Sequence, residues 1–129
     1  MNGCTGLKRV GRSGLIVGAF LFVLSGTAPA QPEAFAGKWL SDFGGLELKV
    51  SGNDVAGSYE HAGGTITGTV SDDGTTLVGW WSESPTFQSP DDAGALILTL
   101  SPDGNRFTGT RWHGPSNGPG EPWNGVRVQ

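Results

Sequence analysis

The sequence predicts an all-β domain: an eight-stranded antiparallel up-and-down β-barrel preceded by a cleaved signal peptide. Three observations lead there. Six glycine-centred units recur: Phe35-Ala36-Gly37-Lys38-Trp39, Val55-Ala56-Gly57-Ser58-Tyr59, Ile66-Thr67-Gly68-Thr69-Val70, Leu77-Val78-Gly79-Trp80-Trp81, Phe107-Thr108-Gly109-Thr110-Arg111 and Trp123-Asn124-Gly125-Val126-Arg127. Each puts a large residue, a glycine and a second large residue on one face of a strand, because side chains alternate faces. Glycine weakens a strand unless it serves a bend or a close approach, so the repeats imply a tightly curled sheet. Turn sequences then divide the chain at short intervals, and no segment carries a helical period.

Residues 1–30 stand apart. Lys8, Arg9 and Arg12 precede an apolar run from Leu15 to Leu24, and Ala28-Pro29-Ala30 follows as a small-x-small cleavage site. This is the pattern of a secretory signal peptide, with an apolar run too short to span a bilayer. Cys4, the single cysteine, lies before that run, so the domain at 31–129 is expected to have no disulfide. That domain holds five basic and twelve acidic residues, a formal charge of −7. Such a balance argues against nucleic acid and anionic membrane surfaces as partners. The expected location is secreted or periplasmic.

The strands are expected at 35–41, 45–50, 55–60, 64–70, 75–82, 94–100, 106–112 and 122–128. The first carries Trp39 inward and Lys38 outward. The second alternates Leu46, Leu48 and Val50 with Glu47 and Lys49, and Ser51-Gly52-Asn53-Asp54 turns it into the third, with Val55 and Tyr59 inward. The fourth sets Ile66 and Val70 against Thr65, Thr67 and Thr69, before the turn Ser71-Asp72-Asp73-Gly74. The fifth buries Leu77 and Trp81, the sixth Leu96, Leu98 and Leu100. After Ser101-Pro102-Asp103-Gly104-Asn105, the seventh offers Phe107 inward and Thr108 and Thr110 outward, and the eighth offers Trp123 inward. Asp, Asn and Gly in these turns suit tight hairpins. The pattern fits a sandwich or a closed barrel. Closure removes exposed sheet edges and is preferred, and it requires the first strand to pair with the eighth.

In a meander, alternate connections share an end. The three tight turns fall at one end. The long connections, 83–93 and 113–121, fall at the other, where small barrels hold ligands. Inward aromatics near that end, Tyr59, Trp81 and Trp123, have two roles open to them: core filling or ligand contact. Arg111 points inward there too. A buried arginine needs a partner, either Glu83 or an anionic ligand.

Gly37-Lys38-Trp39, Gly57-Ser58-Tyr59, Gly79-Trp80-Trp81 and the late Arg127 resemble the calycin superfamily, most nearly its avidin-like branch. The resemblance implies an arginine packed over the first-strand tryptophan. It also implies ligand contacts at Ser41, two positions after Trp39, and at Tyr59, while His61 and Gly45 stand where avidins have serines. The opening Ala36-Gly37-Lys38-Trp39 is similar to the small periplasmic barrel inhibitors of secreted metalloproteases, which carry a disulfide that residues 31–129 lack.

Other chemistry reads weakly. His61 and His113 with Glu83 or Asp42 would make a zinc set, but their separations match no compact ligand motif. Asp72-Asp73-Gly74 and Asp103-Gly104-Asn105 lack the alternating ligands of a calcium loop; Asp91-Asp92 in the long loop is a better cation candidate, set against the ordinary reading of a solvated pair. Ser84, His113 and Glu83 carry no nucleophile elbow, so catalysis, a metal and a cofactor are not expected. Trp80 and Trp112 have outward parity, with Val78 and Ile97 beside them, and a contact surface and coverage by the long loops are equally open.

The leading expectation is a non-catalytic protein binding a small molecule or glycan at the loop-rich end through Ser41, Tyr59, Trp81, Arg111 and Trp123. The alternative is a protein-binding or protease-inhibitor module using the long loops and a face with Trp80, Ile97 and Trp112. A structural cell-surface domain is the third reading.

Overall fold

A computed structural model describes residues 32–129. The signal peptide expected at 1–30, with Cys4, lies outside the described residues. The described chain forms one closed antiparallel barrel of eight staves. The strands are β1 (Gly37–Ser41), β2 (Gly44–Ser51), β3 (Asp54–Tyr59), β4 (Gly64–Val70), β5 (Thr76–Ser82), β6 (Ala93–Leu100), β7 (Arg106–Arg111), β8 (Glu121–Pro122) and β9 (Gly125–Arg127). Each pairs with the next through β7. The eighth stave is the pair β8 and β9, which share one register on β7. β9 also pairs with β1, setting Leu40 opposite Val126 and closing the barrel. The expected eighth strand is thus interrupted at Trp123-Asn124, where the Asn124 amide donates to the Asp42 carboxylate at 2.9 Å instead of to a ladder.

The glycine units have a physical reason. Gly68 and Gly79 face each other across β4 and β5. A Cβ on Gly68 would meet the Val78 carbonyl, and one on Gly79 the Thr67 carbonyl. Neighbouring strands approach there more closely than a side chain allows, which gives a small barrel its curvature.

The interior is a continuous core including Trp39, Leu48, Ile66, Leu77, Trp81, Leu96, Leu98, Phe107 and Trp123. All fifteen residues expected inside face it, with Val50 and Leu100 half-buried at the margin. The pinched end is sealed by Phe35, fully buried on a 3₁₀ turn over Pro32–Phe35. This turn replaces the expected start of the first strand. Trp39 donates its indole N–H to the Phe35 carbonyl at 3.0 Å. Arg127 lies 4.2 Å from the Trp39 ring and donates to the carbonyls of Ala36 and Gly104. That is the arginine–tryptophan packing the calycin resemblance implies, and it ties the last strand to the first.

Candidate functional site

The opposite end is framed by the connections 42–43, 60–63, 83–92 and 112–120. Four strand ends deliver polar or aromatic groups to it. Tyr59 ends β3, Trp81 lies near the end of β5, Arg111 ends β7, and Trp123 sits between β8 and β9. Glu83 follows β5 directly and Phe43 occupies the β1–β2 turn.

These side chains meet one another. Arg111 donates from Nη1 to Glu83 Oε2 at 2.7 Å and from Nε to Glu121 Oε1 at 2.9 Å. The Tyr59 hydroxyl donates to the same Glu83 oxygen at 2.7 Å. The guanidinium rests 3.8 Å from the Phe43 ring centre and 4.2 Å from Trp81. Trp123 packs edge-on against both Phe43 and Tyr59, with ring centres 4.8 and 4.9 Å apart. Arg111 is 5% exposed and Glu83 7%, so both charges leave water and each needs the other. Burial, then the hydrogen bond to Glu83, raises the Tyr59 pKa well above its ordinary value. A phenolate beside a buried carboxylate would be a like-charge contact, so the phenol is held as a neutral donor.

Tyr59, Trp81, Arg111 and Trp123 therefore converge as expected, but on one another. Glu83 takes the role of internal partner to Arg111. Trp81 donates its indole N–H to the Trp112 carbonyl at 2.8 Å. The Trp123 indole nitrogen is buried and finds no hydrogen-bond partner among the described residues. Ser41 does not join the group. Its hydroxyl donates to the Gly44 carbonyl and accepts from the Phe43 amide, fixing the β1–β2 turn.

The rim histidines pack on the outer side of the cluster, His61 with its ring centre 5.8 Å from that of Phe43 and His113 edge-on to Trp81 at 5.1 Å. His61 Nε2 is 3.9 Å from Glu83 Oε1, and His113 Nε2 is 4.0 Å from Glu121 Oε2. No group of three His, Cys, Asp or Glu side chains among the described residues is arranged to hold a metal ion. Ser84 donates its hydroxyl to the Ala62 carbonyl, away from His113, whose Nδ1 faces the carbonyls of Pro90 and Asp91. Asp92 is not solvated freely: its carboxylate accepts from the Thr86 amide and hydroxyl and braces the long loop.

The outer Trp face divides. Trp80 is 40% exposed, beside the exposed Val78 and Ile97. Trp112 is half-buried, because the 112–120 loop folds back and Gly118 accepts its indole N–H at 2.8 Å. Sequence reasoning missed Phe43 as the lid over Arg111, since it lies in a turn, and Phe35 as the plug, since the expected first strand gives way there to a 3₁₀ turn. It also missed Phe87, exposed on the long loop at φ 56°, a backbone region a bulky residue seldom enters. No family model, curated protein or solved structure matches this chain.

Proposed function

We infer that this protein is an exported, non-catalytic binding module that meets its ligand with the outside of the barrel. The observation that carries the reading is the closed mouth. Arg111, Glu83 and Tyr59 satisfy one another, and Phe43 and Trp123 pack over them, where a barrel of this size would admit a small molecule; of this cluster only the buried Trp123 indole N–H has no partner among the described residues. A guest would have to separate a buried ion pair, which is costly when either charge is left alone. The free recognition chemistry lies outside, on the wall that displays Trp80.

A thermal-shift and fluorescence screen against biotin, fatty acids, retinoids and aromatic acids tests the reading. The expected result is no stabilisation by any of them. Saturable binding that disappears in a folded Tyr59→Phe variant would return the function to the mouth.

A further inference from the structure

The outer wall over β4, β5, β6 and β7 differs from the rest of the molecule in charge. The outer face of β1–β3 carries Lys38, Glu47, Lys49 and Asp54. Across β4–β7 the outward positions are threonine, serine, alanine, valine, isoleucine and tryptophan, and Arg106 at the far margin is the one charge. In a domain of formal charge −7, four adjacent strands without an outward carboxylate form a distinct surface.

The register arranges that surface in rows. Thr69, Val78, Ile97 and Thr110 stand side by side across the four strands. The next row toward the loop-rich end sets Trp80 between Thr67 and Ala95. A row of four strands spans about 14 Å. The hydroxyls of Thr67, Thr69 and Thr110 have no hydrogen-bond partner among the described residues. Ala95 offers no bulk beside the indole, and Trp80 is exposed on the wall.

We propose that this β4–β7 face binds an extended, uncharged polysaccharide chain, with Trp80 as the stacking platform and the threonine hydroxyls as hydrogen-bonding flanks. The proposal rests on the outward-binding reading above and names its ligand. Each hydroxyl both donates and accepts, matching sugar hydroxyls, and an exposed indole offers an apolar face to the C–H side of a pyranose ring. Arg106, at the far margin, is the one cation available to an acidic polymer, and the lack of carboxylates leaves nothing for a cation or a basic peptide. Protein hot spots use serine, threonine and valine sparingly, whereas threonines make up most of the positions around Trp80 on this wall. The wall is also convex. A free sugar needs a concavity to be enclosed, whereas a polymer chain can lie across an open surface.

The test is depletion of the full domain from solution by microcrystalline cellulose, chitin and insoluble xylan, with polygalacturonate as the anionic control. At least one neutral polymer should bind it, and molar salt should leave that binding unchanged. Trp80→Ala should weaken it by about tenfold, the scale of one lost aromatic contact. Thr67→Val, which keeps the shape and removes the hydroxyl, should weaken it by a smaller factor. Thermal melts of both variants verify folding, and Thr67→Val keeps the test open should Trp80→Ala melt early. Failure of all three neutral polymers to bind, binding indifferent to Trp80→Ala, or salt-sensitive binding to polygalacturonate would each overturn the proposal. A Trp80-dependent dimer in sedimentation, or Trp80-dependent capture of a protein that no polysaccharide displaces, would overturn it while leaving outward binding intact. Mouth-dependent binding of a small molecule would overturn that underlying reading instead.

Discussion

Arg111 and Glu83, 28 residues apart in sequence, form a 2.7 Å ion pair inside the loop-rich end of the barrel. Phe43 and Trp81 lie against the guanidinium, and Tyr59 adds a second hydrogen bond to the carboxylate. The pair closes the place where the fold would otherwise open.

Arg111→Met should destabilise the domain by about 3–5 kcal/mol, because it leaves the Glu83 carboxylate buried without its cation. Glu83→Gln should cost less, since Arg111 keeps Glu121. The double variant should recover part of the Arg111→Met loss. Denaturant midpoints for the two single variants and the pair check this. Equal midpoints across the set would place the pair in solvent.

Gly68→Ala should cost about 1–3 kcal/mol, the range for overpacking, because its Cβ meets the backbone of β5 and no flexible side chain can yield. Gly52→Ala is the control. Gly52 has φ 61° with open space around its missing Cβ, so it should lose about 1 kcal/mol from backbone conformation alone. A Gly52 variant less stable than the Gly68 variant would contradict the account of barrel curvature.

Two of the three pinched-end turns should make the domain acid-sensitive. The Ser71 hydroxyl, then Thr75, holds the Asp73 carboxyl below its usual range, and the Ser101 hydroxyl, then the Asn105 amide, does the same for Asp103. A depressed carboxyl stabilises the fold above its unfolded pKa and loses that contribution as pH falls through the folded value. Stability should therefore decline as pH drops below about 4. The Asp73→Asn/Asp103→Asn variant should start less stable at neutral pH and show a shallower decline. Parallel pH profiles for the two proteins would refute the assignment.

Much of this was legible from alternation. The period-two pattern placed the inward residues, and the turn residues gave the order of hairpins, the closure of the first strand on the last and the end where the long loops gather. The partnership of Arg111 with Glu83 was legible as one of two options, because a buried charge demands a partner and Glu83 was the nearest candidate. Phe35 shares the parity of the inward Trp39, but the 3₁₀ turn that makes it a plug was not legible. Neither was the lid at Phe43, which sits in a two-residue turn where no period tells inside from outside. The break at Trp123-Asn124 depends on a contact with Asp42, 82 residues away, which no local pattern encodes. Ser41 was placed in the site by resemblance alone, and its hydroxyl is used by its own turn.

Tyr59 gives the most direct test of the closed mouth. It is the sole tyrosine in the chain, so tyrosinate absorbance reports on it alone. Burial and the Glu83 carboxylate raise its pKa, so the folded state holds its proton more tightly than the unfolded state does. The stabilisation is complete below the unfolded value of about 10 and is lost progressively as pH rises above it. In an alkaline titration followed by absorbance and circular dichroism together, tyrosinate should appear only as the barrel unfolds, with the two curves superimposed. A reversible tyrosinate transition near pH 10 in a domain that stays folded would mean that water, and hence a ligand, reaches the mouth, and would contradict the account.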